Sequence, residues 1–316
     1  MNDAEGDIRL ANAAGLELRL LRHGASWVGC RVPLRDGTRR EVLLGFDTLA
    51  EHRANLAYVG ATIGRWANRI AGPVLQRDGR SWPLTTTPGL AHQLHGGPGG
   101  FHQRDWTLLR HDAGQAVFGL HSPDGDQGFP GALDVTVRYA LGTGLSVEVV
   151  FDAVLQGEQA CPVSLTNHAY FQLDGVHTDV RQQRLQITAN RYLPVDADGL
   201  PLCGPTPVTG TRFDFRTERR IDAALDHAFL LHGGASLQSA DGCVKLHLAT
   251  SMPSLQVYSG EFLPEGTGGL FPRFGGIALE PGWLPDSPGH TEWPQPDCWL
   301  APGRRWQHRI GYRFEV

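Results

Sequence analysis

Lysine is almost absent from this chain, and acidic residues outnumber basic ones. Of the 28 lysine and arginine residues only Lys245 is a lysine, and 33 acidic residues bring the formal net charge to −5. Binding of nucleic acid phosphates requires a basic face. The charge balance therefore argues against nucleic acid as the main partner, and the scarcity of lysine by itself indicates no function.

Long hydrophobic runs are missing as well. No stretch approaches the ~18–20 apolar residues of a membrane helix, so we expect no membrane partner. The segment Met1 to Leu10 is acidic and lacks the basic flank and apolar stretch of a secretory signal. The five cysteines are odd in number and scattered, so they form neither a CxxC metal pair nor a disulfide framework: Cys30, Cys161, Cys203, Cys243 and Cys298. We expect a cytoplasmic protein.

What the chain does contain is a hydrophobic period of two. Apolar and polar residues alternate in the runs 16–20, 133–139, 145–149 and 244–248. Such alternation places one side of a strand on a core and the other toward water or a second layer. Gly142-Thr143-Gly144 separates two of these runs and Asp241-Gly242 precedes another, which suits hairpin turns that need positive φ.

Helical signals are few, and the best of them is the short segment Thr48 to Ala57. We therefore predict an all-β fold, a large antiparallel sandwich or barrel with few short helices. No repeat or linker interrupts the sequence, so we expect a single domain over residues 1–316. The Pro- and Gly-rich stretch 287–302 also holds Trp293 and Trp299, which favours an ordered loop that covers the sheets.

Polar residues cluster among small or apolar ones in four segments that break the alternation. They are Gly60-Ala61-Thr62-Ile63-Gly64-Arg65-Trp66-Ala67-Asn68-Arg69-Ile70-Ala71-Gly72, Gln93-Leu94-His95-Gly96-Gly97, Ser164-Leu165-Thr166-Asn167-His168-Ala169-Tyr170-Phe171 and Ala278-Leu279-Glu280-Pro281-Gly282-Trp283-Leu284-Pro285-Asp286. Two shorter segments, Asp226-His227-Ala228-Phe229 and Gln256-Val257-Tyr258, supply further polar groups.

Together these segments resemble the aldose 1-epimerase (galactose mutarotase) family. That family carries a G-x-T-x-G-R-x-A-N-R-I segment, an L-H-G-G, a T-N-H-x-Y-F, a D-H-x-F and a late L-E followed by P-D. All five appear here in the family's order, from about Gly60 to the end of the chain, whereas residues 1 to about 59 match only loosely. One such motif would be weak, but five in order with compatible spacing are strong.

The resemblance implies a galactose mutarotase-like supersandwich that interconverts the α and β anomers of free aldohexoses such as galactose and glucose. It implies Glu280 as general base and His168 as general acid. Asn68, Arg69, His95, Asp226 and Gln256 would bind the sugar. The partner is then a small monosaccharide, the protein a monomer or homodimer, and neither a cofactor nor a metal is expected.

The chemistry of anomerisation gives an independent reason for a carboxylate and an imidazole. Ring opening removes the proton of the C1 hydroxyl while the ring oxygen is protonated. Either transfer alone creates an alkoxide or an oxocarbenium-like cation, and a paired base and acid avoid both. Unperturbed pKa values are about 4.3 for Glu and about 6.5 for His. A carboxylate and an imidazolium can therefore coexist if the site shifts these pKa values modestly.

Several residues have plainer interpretations. Arg69 could form a structural salt bridge, and Arg65 could share its role. Asp226 could cap a turn, and Gln256 could face solvent. His92, His95 and His102 could suggest a metal, but their spacing matches no common zinc pattern. Tyr170 and Phe171 are expected to pack, and Trp283 is either a sugar platform or packing.

Three other functions would require different residues at this site. A non-catalytic sugar-binding protein would lack the acid or the base, a glycoside hydrolase would use two carboxylates, and a hexose-6-phosphate 1-epimerase would place two or more cations near C6. Pro281-Gly282-Trp283 and His290 depart from the family's usual residues beside the cleft. They bear on which aldose is preferred, which the sequence leaves open.

Overall fold

A computed structural model describes residues 7–54, 56–175, 178–263, 265–266 and 269–316. The first thirteen strands are β1 (Asp7–Ala11), β2 (Glu17–Leu21), β3 (Ser26–Pro33), β4 (Arg39–Glu41), β5 (Thr62–Ile63), β6 (Arg69–Ile70), β7 (Val74–Arg77), β8 (Arg80–Pro83), β9 (Gln93–Leu94), β10 (Thr107–His111), β11 (Gln115–Ser122), β12 (Ala132–Leu141) and β13 (Ser146–Gln156). The others are β14 (Cys161–Pro162), β15 (Thr166–Asn167), β16 (Tyr170–Phe171), β17 (Arg184–Tyr192), β18 (Thr206–Pro207), β19 (Arg219–Arg220), β20 (Asp226–Gln238), β21 (Lys245–Thr250), β22 (Ser254–Tyr258), β23 (Glu265–Gly266), β24 (Gly269–Leu270), β25 (Ile277–Gly282), β26 (Trp299–Leu300) and β27 (Arg305–Glu315).

Two antiparallel sheets dominate the fold. The first has the order β1-β2-β3-β4, and the second has thirteen strands around the path β10-β11-β12-β13-β27-β21-β20-β22-β25-β16, with β17, β18 and β19 beside it. The remaining strands form two-stranded pairs, among them β5 with β15 and β6 with β9. The predicted all-β architecture is confirmed.

The period-two runs are strands, and their burial follows the pattern. In β12 every second residue from Leu133 to Tyr139 is buried against the core, and β13 returns beside it after the turn at Gly142-Thr143-Gly144. Gly144 has φ +62° there and Gly242 has φ +73° before β21, which are the left-handed values that favour glycine.

The helical segment is shorter than the sequence predicts. Helix α1 runs over Leu49–Ala54, begins with a reciprocal capping box between Thr48 and Glu51, and buries His52. Residue 55 lies outside the described residues, and Leu56, which belongs to the predicted segment, is 87% exposed. The other helical turns among the described residues are four short 3₁₀ helices: Phe101–Gln103, Asp126–Gly128, Val180–Gln182 and Ser287–Gly289.

The two large sheets share one hydrophobic core. Trp27 of the first sheet is fully buried, and its ring meets that of Tyr312 in β27 at 5.2 Å and that of Phe171 in β16 at 6.0 Å. Over residues 287–302 the chain packs Trp293 and Trp299 into the protein, as predicted for an ordered loop. Among the described residues no helix is long and apolar enough to cross a membrane.

Candidate active site

Three neighbouring strands of the large sheet place three polar side chains side by side. Gln256 in β22 lies directly opposite Glu280 in β25, so both side chains stand on one face of the sheet. Asp226 begins β20, the next strand, and its Oδ1 accepts a hydrogen bond from Gln256 Nε2 at 2.5 Å. Asp226 therefore does more than cap a turn, and Gln256, which is 6% exposed, does not face solvent.

Glu280 is a buried carboxyl group in an otherwise apolar strand. All residues of β25 are buried, and no described residue donates a hydrogen bond to this side chain. Burial and, to a smaller extent, the nearby Asp226 charge together raise the pKa of Glu280 to about 8, although the Arg69 charge opposes the shift. A buried carboxyl group that accepts no hydrogen bond from the described residues is typical of functional sites.

His168 faces Glu280 from a loop between β15 and β16. Its N–H donates to Ala61 O at 2.8 Å, and its carbonyl accepts from Gly60 N at 2.9 Å. These bonds bring Nε2 to 3.6 Å from Glu280 Oε1, and both side chains are about 4% exposed. Burial lowers the pKa of His168 to about 4, so its imidazole is neutral near pH 7.

Gly60 is the point at which the first sheet meets this loop. Its carbonyl accepts hydrogen bonds from Trp27 N at 2.8 Å and from Asn167 Nδ2 at 2.7 Å. It has φ +73°, and a Cβ there would lie 2.3 Å from Trp27 O. Only glycine, which has no Cβ and adopts positive φ freely, fits this crowded position.

His95 and Asn68 lie at the ends of the short strands β9 and β6, which pair with each other. His95 N donates to Asn68 O at 3.0 Å, and Asn68 N donates to His95 Nδ1 at 3.2 Å. Both residues have positive φ, +52° and +69°. The second bond occupies the Nδ1 lone pair, so we assign His95 the tautomer that carries its proton on Nε2. Burial lowers the pKa of His95 well below its usual value, and His168 and Arg69 act in the same direction.

Arg69 joins the two halves of the site. Its Nη2 lies 3.4 Å from Asp226 Oδ2, and Asn68 Oδ1 accepts from Arg69 N at 2.8 Å and from Nη1 at 3.4 Å. Direct contacts therefore connect all seven residues that the resemblance pointed to, from Asn68 and Arg69 through His95 and His168 to Glu280, Gln256 and Asp226.

Arg65, the second arginine of the same motif, has a different environment. It is 1% exposed, and its guanidinium donates to Ser122 Oγ and O, Pro123 O, Pro130 O and Gly131 O. These acceptors hold a loop together and leave no donor for a ligand. Arg65 is structural, and it does not share the role of Arg69.

The aromatic residues divide in a similar way. Trp283 Nε1 donates to Val163 O at 2.9 Å and its ring packs on the main core, which favours packing over a sugar platform. Tyr170 and Phe171 are buried as expected, and the Tyr170 ring lies 4.9 Å from that of His168. Tyr58, which stands two residues before the first motif, is a residue of the site that was not predicted from the sequence.

Tyr58 packs between three histidines of the site. Its ring centroid lies 4.6 Å from that of His95, 4.7 Å from that of His102 and 5.7 Å from that of His168, nearly parallel to the last. Its φ of +59° is unusual for an aromatic residue. No sequence pattern signals this position, because the conformation depends on the contacts of the folded protein.

One group of described side chains has the convergence of a metal site. His95, His168 and Glu280 each offer one ligand atom, all within 4.8 Å of one another. The trio His92, His95 and His102 does not converge in this way among the described residues. Because Asn68 N–H occupies Nδ1 of His95, this imidazole presents an N–H at Nε2 in place of a lone pair. The cluster therefore suits a ligand with hydroxyl oxygens better than a metal ion.

A cavity of about 890 Å³ lies beside the first sheet, apart from these residues. Charged side chains line it, but they pair with one another: Arg19 Nε, for example, lies 3.0 Å from Asp7 Oδ2. None of the seven site residues lines this cavity. Its size alone does not make it the reactive site.

Fold and site together define a class of protein: a β-sheet protein with a buried carboxyl–imidazole pair, an arrangement that is typical of enzymes that use general acid–base catalysis. The family model for aldose 1-epimerase matches residues 6–313. The aldose 1-epimerase of Escherichia coli is 42% identical, over 97% of this chain and 94% of the relative, and the human galactose mutarotase is 33% identical over 95% and 92%. A solved aldose epimerase homologue from C. elegans has a TM-score of 0.91 at 30% identity, covering 98% of both chains.

This chain belongs to the aldose 1-epimerase family. The predicted family, fold and enzyme class, a carbohydrate isomerase, are confirmed. The family match also covers most of residues 1–59, where the sequence motifs were loose. They were loose because β1 to β4 form a sheet whose alternation carries no distinctive motif.

Proposed function

We propose that this protein interconverts the α and β anomers of free aldohexoses such as galactose and glucose, with Glu280 as general base and His168 as general acid. One observation carries the assignment of roles. Glu280 Oε1 and His168 Nε2 face each other at 3.6 Å in a buried pocket, without a hydrogen bond between them. A sugar that binds against this pair can offer its C1 hydroxyl to one group and its ring oxygen to the other.

The pair holds one proton near neutral pH. Burial favours the neutral forms of both side chains, so the proton lies on Glu280 before the sugar binds. A bound sugar brings hydroxyl donors to the carboxylate, and Arg69 stabilises its charge, so we infer that the proton then moves to His168. The pair thereby reaches the form that the reaction requires, a carboxylate and an imidazolium.

Ring opening then transfers two protons. Glu280 takes the proton of the C1 hydroxyl, His168 donates its proton to the ring oxygen, and the C1–O5 bond breaks to give the open-chain aldehyde. Rotation about C1–C2 presents the other face of the carbonyl. Reclosure returns a proton from Glu280 to O1 and a proton from O5 to His168, so the enzyme ends as it began.

The other residues orient the sugar. The Asp226 carboxylate, steadied by Gln256, can accept hydrogen bonds from two neighbouring hydroxyls. Arg69 and the Nε2–H of His95 donate toward the ring oxygen or adjacent hydroxyls. Tyr58 supports the two imidazoles from the side.

A polarimeter tests the proposal directly. Freshly dissolved α-D-galactose and α-D-glucose should reach anomeric equilibrium faster with the protein than in buffer, and Glu280→Gln protein supplies the matched control. Rates equal to buffer across a panel of hexoses and pentoses would refute enzymatic anomerisation and favour a sugar-binding protein.

A hexose-6-phosphate 1-epimerase is the second candidate. The motif supplies two arginines, but Arg65 binds carbonyl oxygens and only Arg69 reaches the site. This favours unphosphorylated sugars. Faster turnover of glucose 6-phosphate than of glucose would reverse that choice. The cytoplasmic location and the monomeric or homodimeric state stay predictions of the sequence.

A further inference from the structure

The mechanism assigns no role to Pro285-Asp286, the Pro-Asp pair that follows the proposed base. Asp286 nevertheless contacts the segment that carries Arg69. Its N–H donates to Arg69 O at 2.8 Å, and its Oδ1 accepts from Ala71 N at 2.8 Å. The two bonds grip the backbone on both sides of Ile70. Asp286 itself is 8% exposed.

The side chain of Arg69 needs such support, because its own contacts are long. The bonds from Nη2 to Asp226 and from Nη1 to Asn68 both measure 3.4 Å, and the buried Nε atom has no partner among the described residues. On the other side, the backbone at Gly199 lies against the guanidinium, where a Cβ would come within 2.5 Å of Cζ. The position of the guanidinium is therefore set largely by backbone at both ends.

We propose that Asp286 is a positioning residue that holds Arg69 in the sugar-binding geometry. This inference rests on the proposed function, since it assigns Asp286 a part in binding the sugar of that same site. Asp286 touches no reacting atom and acts through Arg69, so its loss weakens sugar binding more than it slows the proton transfers.

His290 supports the Asp286 side chain from outside. Its Nε2 lies 3.3 Å from Asp286 Oδ2, its Nδ1 lies 2.7 Å from Glu292 Oε1, and its ring stacks on Trp293 at 4.0 Å and 4°. An imidazole there keeps the second carboxylate oxygen occupied and leaves Oδ1 turned toward Ala71.

The test uses Asp286→Gly, Asp286→Asn and Arg69→Ala, and Asp286→Gly combined with Arg69→Ala. Asp286 has φ +61°, which glycine adopts freely, so Asp286→Gly removes the carboxylate without backbone strain. Losing the Ala71 bond should raise KM for galactose about tenfold and change kcat by less than about threefold. Asp286→Asn keeps an oxygen for Ala71 and should stay within about threefold of wild type in both constants.

The double variant separates positioning from general damage. If Asp286 acts through Arg69, adding Asp286→Gly to Arg69→Ala leaves KM unchanged, whereas independent effects multiply. An unchanged KM in Asp286→Gly, or multiplied effects in the double variant, would overturn this inference. If the glycine variant is insoluble, the same comparison uses Ala71→Pro, which removes the N–H that donates to Asp286 Oδ1 and leaves Asp286 itself unchanged. A wild-type protein without turnover overturns the proposed function instead, so the two failures are distinct.

Discussion

The backbone N–H of Asn68 donates to Nδ1 of His95 at 3.2 Å, while His95 N donates to Asn68 O at 3.0 Å. Two residues that are 27 positions apart thus fix each other, and the imidazole is left with its proton on Nε2. A neutral imidazole usually exchanges between two tautomers in water. Here the backbone selects the one that donates to a ligand oxygen.

This relationship predicts a spectroscopic signature. The side-chain ¹⁵N shifts of His95 should show protonated Nε2 and unprotonated Nδ1 at pH 7. Asn68→Gly keeps the backbone N–H and suits the positive φ, so the tautomer should persist although Arg69 loses its Oδ1 partner. A protonated Nδ1 in wild-type protein would contradict the assignment. His95→Phe removes the donor and should lower kcat/KM about 10–100-fold, as expected for a lost bond to a sugar oxygen.

Removing the proposed base should lower turnover without abolishing sugar binding. Glu280→Gln is expected to lower kcat by about 10²–10⁴ with sugar binding largely intact, and His168→Asn should behave similarly. Stopped-flow polarimetry and calorimetric titration with galactose measure the two properties. Wild-type kcat in Glu280→Gln would exclude this residue as the base.

The raised pKa of Glu280 also predicts a stability difference. Between about pH 4.5 and 8 the folded protein keeps a proton on Glu280 that the unfolded chain has released, so the folded state binds more protons and loses stability as pH rises. Glu280→Gln removes this penalty. Its free energy of unfolding relative to wild type should therefore increase from pH 5 to pH 8 in urea titrations. A difference that is constant with pH would contradict a raised pKa.

The pH dependence of turnover follows from the single shared proton. Below about pH 4 both His168 and Glu280 are protonated, and above about pH 8 neither is. We expect kcat/KM to form a plateau between these limits and to fall on both sides. The spontaneous rate is subtracted at each pH, and circular dichroism verifies that the protein stays folded. A rate that climbs steadily to pH 10 would argue against the one-proton pair.

The two arginines of the first motif should respond oppositely to the same substitution. Arg65→Lys leaves several buried carbonyl oxygens without donors and should lower the free energy of unfolding by at least about 2 kcal/mol, with little change in kcat of the folded protein. Arg69→Lys should raise KM and leave stability nearly unchanged. Thermal unfolding and polarimetry on both variants decide, and an equal loss of stability in the two would show that their roles are not distinct.

The sequence predicts the sheet well because alternation is a local signal. Leu133 to Tyr139 form a strand of the large sheet with the burial that the pattern requires. The predicted end of the helix at Ala57 was wrong, since α1 ends at Ala54. Leu56 beyond it is exposed, which no local rule reveals. The residue types of the site came from motifs, but the register that sets Gln256 opposite Glu280 could be known only once β22 and β25 were paired.

Other features depend on contacts between distant segments. Arg65 and Arg69 look equivalent in the motif, and only the carbonyl oxygens around Arg65 separate them. Tyr58 and Asp286 both have positive φ, which residue type did not foretell. Such conformations persist because surrounding structure enforces them, so they become visible in the fold and not in the sequence.

The double hydrogen bond at Gly60 O limits how the chain can be divided. Trp27 reaches that carbonyl from the first sheet, and the same glycine holds His168 by its N–H. A fragment cut between β4 and β5 would lose the donor that fixes this crossing point. The amino-terminal sheet therefore stabilises the position of His168, the proposed proton donor. A protein split at this point would recover turnover only if both fragments were present together.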